Sequence, residues 1–304
     1  MGKLVDVKRV ECSKPSDGWG AAWPAPGKLN LMLRIVRQRT DGYHDLQTVF
    51  QFIDLCDEIR FYPRTDGLVR LRRLIRGVSE SDDLTVRAAC LLKTDSGCSL
   101  GVDIEVDKRL PMGGGLGGGS SDAATTLFVL NQLWDLGYST EQLRALGLRL
   151  GADVPIFLAG FSAWAEGVGE QLEPLELAEP WYVIAVPDCH VSTAEVFGAK
   201  DLTRDNIPVT MEKFASGWVG NDCMSIVLAL YPAVDKVFRQ FSVMAEARLT
   251  GTGGCLFAQC SDKRAAEKIA DGLSGCCEAF VARGLNGSPL HRLCARYFAA
   301  ESLI

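Results

Sequence analysis

The sequence of 304 residues is 47% hydrophobic and 23% charged, a composition typical of globular proteins. Its formal net charge of −6 argues against a surface that binds nucleic acid or an anionic membrane. No apolar run reaches the ~18 residues that a membrane-spanning helix needs, and the eleven cysteines include no CxxC pair of the kind that binds zinc.

The chain up to residue 108 predicts strands and one helix. Residues 1–22 lack the apolar core of a signal peptide, so we expect a short extension on a cytoplasmic protein. The arginine-rich stretch 69–77 predicts a solvated hairpin, because a nucleic-acid footprint normally spreads over a whole face. Asp82–Leu92 predicts a helix capped by an aspartate. Alternating apolar side chains predict three strands, at 28–36, 48–53 and 102–108.

Helical patterns dominate the chain after a glycine-rich segment. Apolar residues recur at helical spacing over 127–134, and Ser139 with Gln142 forms a capping-box pattern that predicts a helix over 140–150. The apolar run 181–187 predicts a buried strand. The last third predicts helices, a second glycine turn, and then a helix and a strand.

The order of these elements predicts the fold class. Strands come in groups with helices between them, without the regular alternation of a doubly wound parallel sheet, so we expect an α+β protein. The connector 173–180, which contains Pro and Glu, is the predicted domain boundary. It divides the chain into an N-terminal domain, 1–175, and a C-terminal domain, 176–304.

The glycine-rich segment PMGGGLGGGSS lies between the predicted strand 102–108 and the helix that follows. Its glycines can turn successive backbone N–H groups toward one point. The helix behind it adds unpaired N–H donors and a partial positive charge. We therefore predict a cradle for a polyphosphate, formed by Pro111, Met112, Gly113, Gly114, Gly115, Leu116, Gly117, Gly118, Gly119, Ser120 and Ser121.

Two common nucleotide-binding motifs do not describe this segment. No lysine follows the glycines, as a Walker A motif requires. The segment also does not follow a strand at the N-terminus of the chain, as the glycine loop of a Rossmann unit normally does. A flexible loop is the alternative to a phosphate cradle, and the strand–glycine–serine–helix context disfavours it.

Three segments in order resemble the GHMP kinases, the superfamily of galactokinase, homoserine kinase, mevalonate kinase and phosphomevalonate kinase. They are PAPGKLNLML at 24–33, PMGGGLGGGSSDAA at 111–124 and RLTGTGGCLFA at 248–258. The further segments DGYHDLQTVFQFIDLCDEI, LGADVPIFL, AEGVGE and SPLHR resemble the branch that acts on a cytidine-diphosphate-linked methylerythritol in the non-mevalonate isoprenoid pathway. The resemblance implies a two-domain fold, with an N-terminal domain like domain 2 of ribosomal protein S5 and a ferredoxin-like C-terminal domain.

The resemblance also implies catalytic roles for Lys28 and Asp153. Asp153 would accept the proton of the substrate hydroxyl, and Lys28 would keep Asp153 ionised and polarise the hydroxyl. Apart from the resemblance, Asp153 has the alternative of an Asx turn before Pro155, and Lys28 that of a solvated charge at a strand end. The implied cofactors are ATP and Mg²⁺, without assigned metal ligands.

For the second substrate, the resemblance implies an aromatic site for cytosine. Tyr43 would stack on one face of the base and Phe197 on the other, while helix core is the alternative for Phe197. His44 and Asn30 would make polar contacts with the base and the erythritol end. The family often has Asn at the position of Asp83, near adenine, and an aspartate cannot donate as that amide does.

The predicted function is ATP-dependent phosphorylation of the 2-hydroxyl of the cytidine-diphosphate-linked methylerythritol. Another small-alcohol kinase of the superfamily is one alternative, which the segment DGYH disfavours. A non-catalytic nucleotide-binding sensor on the same fold is the other, and the presence of both Lys28 and Asp153 disfavours it.

Overall fold

The structure, a computed structural model, describes residues 18–217 and 219–298, so most of the predicted extension lies outside the described residues. The strands are β1 (Trp23–Gln38), β2 (His44–Arg64), β3 (Val69–Leu71), β4 (Gly101–Asp107), β5 (Ala163–Glu166), β6 (Gln171–Pro174), β7 (Trp181–Val186), β8 (Arg248–Leu249), β9 (Leu256–Cys260) and β10 (Glu278–Leu285). The helices are α1 (Leu84–Ser96), α2 (Gly118–Leu133), α3 (Thr140–Leu148), α4 (Val154–Ala159), α5 (Thr193–Gly198), α6 (Met211–Ala215), α7 (Met224–Leu230), α8 (Pro232–Ser242), α9 (Lys263–Leu273) and α10 (Pro289–Phe298).

The described strands form one sheet, in which β1 and β2 pair antiparallel along nearly the whole of β1. The main path runs β3-β4-β2-β10-β7-β9-β8, with β1 and β5 also on β2, and β6 on β5. Of the strand pairs in this sheet, β3 with β4 is parallel and the others are antiparallel. The prediction of an α+β fold without a doubly wound parallel sheet is confirmed.

Two main hydrophobic cores lie against this sheet, and β1 contributes residues to both. β1 contributes Trp23 to the first core and Ile35 to the second. The second core also contains Val183 of β7, whereas Leu290 of α10 packs in the first. The predicted division between 175 and 176 falls between β6 and β7, and it stays a prediction.

Local signals define where the predicted helices begin. The Asp83 carboxylate caps α1 by accepting a hydrogen bond from Thr85 N (2.8 Å). Ser139 and Gln142 form both hydrogen bonds of a capping box at α3. Within the two described ranges, no helix combines the length and the apolar character that crossing a membrane requires.

The hairpin predicted at 69–77 was wrong. Its first three residues form β3, which runs parallel to β4, and the rest is a loop. Parallel strands need a long crossover connection, and α1 lies in the connection between these two. The loop, which continues to residue 83, contributes Ile75 and Val78 to the wall of a cavity.

Candidate active site

A cavity of about 830 Å³ lies between the glycine-rich segment and the loops that follow β7 and β8. Of the residues that the sequence predicts for the site, Ser121 does not line this cavity, because it is fully buried at the start of α2. The others line it: Lys28, Asn30, Tyr43, His44, residues 111–120, Asp153 and Phe197. The volume is in the range of small-molecule sites.

Helix α2 begins inside the glycine-rich segment, at Gly118. Its N-cap is Gly117, which has no side chain to cap the first turn, and the first intrahelical bond runs from Ser121 N to Gly117 O (2.8 Å). The N–H groups of residues 118–120 therefore have no intrahelical acceptor. Together with the helix dipole, they can bind an anion in the cavity.

Gly115 lies where the glycine-rich segment touches the second glycine turn, residues 250–253. Its φ is +81°, and a Cβ at this position would lie 2.4 Å from the Thr250 carbonyl oxygen. At the same contact, Cys255 N donates to Gly114 O (3.1 Å). Backbone conformation and the close approach of two loops therefore require glycine at position 115, apart from any need of a bound phosphate.

Gly115→Ala is expected to destabilise the fold more than Gly118→Ala. A strained φ costs about 1–3 kcal/mol, and overpacking adds about 1–3 kcal/mol. At Gly118 a Cβ would meet Leu110 Cβ at 3.4 Å, at a helical position that alanine adopts without strain. We expect the melting temperature to fall by about 6 °C or more for Gly115→Ala and by about 2 °C or less for Gly118→Ala. Equal melting temperatures in calorimetry would contradict this account of Gly115.

Lys28 of β1 and Asp153 meet in the cavity wall. The distance from Lys28 Nζ to Asp153 Oδ2 is 3.2 Å, and the side chains are 3% and 38% exposed. The Lys28 side chain is therefore not a solvated charge at a strand end. Asp153 precedes α4, but its carboxylate makes no capping hydrogen bond to that helix. It is free to accept a proton from a ligand.

The Lys28 ammonium is held by two further acceptors. Nζ donates to Asn30 Oδ1 (2.6 Å) and to Gly115 O (3.1 Å). The Asn30 amide in turn donates to Thr48 Oγ1 (2.8 Å), and Asn30 N donates to Thr250 Oγ1 (3.0 Å). Both polar groups of the Asn30 side chain thus have protein partners, and they orient Lys28 toward Asp153.

A second charged cluster lies beside the first turn of α2. Lys108 Nζ donates to Asp57 and, at 2.7 Å, to Asp122 Oδ2. Burial raises the pKa of the Asp122 carboxyl well above its usual range, and repulsion from Asp57 acts in the same direction against the attraction of Lys108. No sequence prediction covers these residues, although Lys108 and Asp122 flank the glycine-rich segment.

Three of the residues predicted for the cytosine site, Tyr43, His44 and Phe197, line the cavity. The Phe197 ring packs on the His44 ring, with centroids 4.8 Å apart and planes at 17°. Tyr43 is 63% exposed, and its backbone N donates to Asp41 (3.0 Å) in the same turn. Burial, and then the Arg204 guanidinium, lower the pKa of His44, so this imidazole is neutral at pH 7. Its Nε2 has no hydrogen-bond partner among the described residues.

Comparisons with known proteins show the family of the chain. The family described as GHMP kinases N terminal domain matches residues 83–161, and GHMP kinases C terminal matches residues 217–279. A 4-diphosphocytidyl-2-C-methyl-D-erythritol kinase of Methylococcus capsulatus is 55% identical over 88% of this chain and 92% of its own. The chain belongs to the family of 4-diphosphocytidyl-2-C-methyl-D-erythritol kinases. The kinase of the same name from Pseudomonas fluorescens is 52% identical over 88% of this chain and 95% of its own.

Solved structures extend the comparison to the fold. The crystal structure of a 4-(cytidine 5'-diphospho)-2C-methyl-D-erythritol kinase superposes with a TM-score of 0.76 at 31% identity, over 88% of this chain and all of that one. A mevalonate kinase from Methanococcus jannaschii superposes with a TM-score of 0.63 at 15% identity, over 88% of this chain and 99% of its own. The predicted GHMP kinase fold is therefore confirmed, and 4-diphosphocytidyl-2-C-methyl-D-erythritol kinases share it with kinases for other alcohols.

Proposed function

We propose that the chain transfers the γ-phosphoryl group of ATP to the 2-hydroxyl of 4-diphosphocytidyl-2-C-methyl-D-erythritol, in the non-mevalonate isoprenoid pathway. One observation carries this proposal: the Lys28–Asp153 pair, 3.2 Å apart, lines the same cavity as the uncapped start of α2. The carboxylate can take a proton from an alcohol, and the helix end can hold a polyphosphate. The kinase activity in the names of the similar proteins supports the same assignment.

The chemistry follows from the positions of these two residues. As the substrate oxygen attacks the γ-phosphorus, its proton passes to the Asp153 carboxylate, and the bond from the γ-phosphorus to the bridging oxygen of ADP breaks. The Lys28 ammonium holds the Asp153 carboxylate in place through their ion pair and stabilises negative charge on the attacking oxygen. The N–H groups at the start of α2 stabilise charge on the transferred phosphoryl group.

ATP use is expected of a kinase of this family, and we propose that Mg²⁺ accompanies it. The described residues hold no cluster of three or more His, Cys, Asp or Glu that could hold a metal ion. Nucleotide-bound Mg²⁺ takes most of its ligands from phosphate and water, so a cavity of this kind fits it. The hydroxyl of Ser120, which lines the cavity at the first turn of α2, would be a protein ligand. When bound, the ion shields the phosphate charge.

A coupled ADP-release assay with a panel of alcohols tests the proposed function. We expect turnover with 4-diphosphocytidyl-2-C-methyl-D-erythritol, and little with homoserine or mevalonate. Phosphorus NMR of the product should detect a new phosphomonoester beside the intact diphosphate. Turnover of another alcohol instead would show that the substrate in this proposal is wrong. ATP binding without turnover of any alcohol would favour the non-catalytic nucleotide-binding sensor.

Tyr43→Ala is expected to raise the KM for the cytidine substrate by about 5- to 150-fold, because stacking on a base contributes about 1–3 kcal/mol. The KM for ATP and the melting temperature should not change, since Tyr43 is 63% exposed. Tyr43→Phe, which keeps the ring, is the matched control and should behave like the parent. If Tyr43→Ala raises both KM values together, the residue positions the loop and does not stack on cytosine.

A further inference from the structure

His190 lies at the cavity in a position for which the sequence makes no prediction. It belongs to the loop between β7 and α5, and its exposed side chain lines the cavity. The ring lies against the glycine-rich segment, because a Cβ at Gly113 would be 2.5 Å from His190 Nδ1. The imidazole therefore contacts the glycine-rich segment from a loop whose neighbouring residues pack in the second core.

The charges of the cavity wall show why a phosphate ligand would need a further donor at this position. The charged residues of the wall, apart from histidines, are Lys28, Lys108, Asp82, Asp83, Asp122 and Asp153. Lys28 is bound to Asp153, and Lys108 to Asp57 and Asp122. Even without Asp122, whose pKa is raised, three carboxylates thus face two ammonium groups that are already paired. Such a wall repels a polyphosphate unless other donors compensate.

His190 is a lining side chain that can supply such a donor. In the part of the chain that the structure describes, its ring nitrogens have no hydrogen-bond or ion-pair partner, and His44, the other lining histidine, is buried against Phe197. An imidazole N–H beside a phosphate can donate a hydrogen bond to an anionic oxygen. His190 can do so without first breaking an interaction within the protein.

We propose that His190 binds a phosphate oxygen of one of the two nucleotides in this cavity, which rests on the proposed function for the identity of those nucleotides. The oxygen belongs either to ATP or to the cytidine diphosphate group of the acceptor. Phe197 lies in α5, directly after the His190 loop, and Gly113 lies at the start of the phosphate segment. His190 thus lies between the aromatic site and the phosphate cradle.

Binding measured without turnover tests this assignment. Titration calorimetry with ATP alone and with CDP alone should detect a Kd about 10- to 100-fold higher for His190→Ala in one of the two titrations, the loss typical of a hydrogen bond to a charged group. The affected titration identifies the source of the phosphate. His190→Arg should restore most of the affinity, because it supplies a cationic donor at the same position.

The matched control is Asp188→Asn, an exposed residue of the same loop outside the cavity wall. It should weaken neither titration, and none of the three variants should lower the melting temperature. Unchanged Kd values for His190→Ala with both ligands would overturn the proposal, as would a loss that His190→Arg does not restore. Because calorimetry needs no product, the proposal is judged separately from the ADP-release assay.

Discussion

Asp153→Asn is expected to lower kcat by about 10²–10⁴, the contribution of a positioned general base. The amide keeps the size and shape of the carboxylate but cannot accept the proton of the substrate hydroxyl. Asp153 is 38% exposed and caps no helix through its side chain, so the fold should tolerate the change. Steady-state kinetics with both substrates would measure the loss, and calorimetry with ATP would measure binding.

Measuring the Kd for ATP distinguishes a loss of catalysis from a loss of the binding site. Removing the negative charge of Asp153 should leave the Kd for ATP unchanged or lower, since the carboxylate repels phosphate. Asp201→Asn removes an exposed carboxylate outside the cavity wall and is the matched control for charge. A near-normal kcat in Asp153→Asn would mean that the hydroxyl proton leaves by another route, and that positioning and charge stabilisation carry the reaction.

Features set by residues close in sequence were predicted correctly, whereas a strand pairing set by distant residues was not. The cap at Asp83 and the capping box at Ser139 depend on neighbours within a few residues, and both formed as the sequence predicts. The stretch 69–77 shows the limit, because a local pattern does not tell which strand will pair or in which direction. Cytoplasmic location and the expected absence of nucleic-acid and membrane partners stay predictions.

The site depends on contacts that no local pattern contains. From the residues alone, Lys28 could be a solvated charge at a strand end, and Asp153 could belong to an Asx turn. The resemblance to a kinase family suggested that the two form a catalytic pair. The ion pairs of Lys108 depend on how β4, β2 and α2 pack. The contact of His190 with Gly113 forms only where the two halves of the chain meet. Only the tertiary packing therefore shows which charged side chains surround the predicted phosphate cradle.

Lys28→Met is expected to lower kcat by about 10²–10³, the loss typical of removing one donor that stabilises developing negative charge. The ammonium has two tasks, because it bonds Asp153 Oδ2 at 3.2 Å and Gly115 O at 3.1 Å. The variant should therefore also raise the Kd for ATP a few-fold, which Asp153→Asn should not do. A melting curve is needed as a control, since Lys28 is buried and its loss leaves Asn30 Oδ1 without its donor.

The double variant tests whether the two side chains act as one unit. Once Asp153 is an amide, Lys28 no longer has a carboxylate to hold in an ion pair, so its removal should cost less than in the parent. The fall in kcat for Lys28→Met with Asp153→Asn should therefore be smaller than the product of the single falls, as is usual for residues that share one step. Single-turnover rates at saturating ATP remove the effect of the weaker nucleotide binding. If the losses multiply, Lys28 stabilises the phosphoryl group independently of Asp153, and the contact with Gly115 O would be the basis of its role.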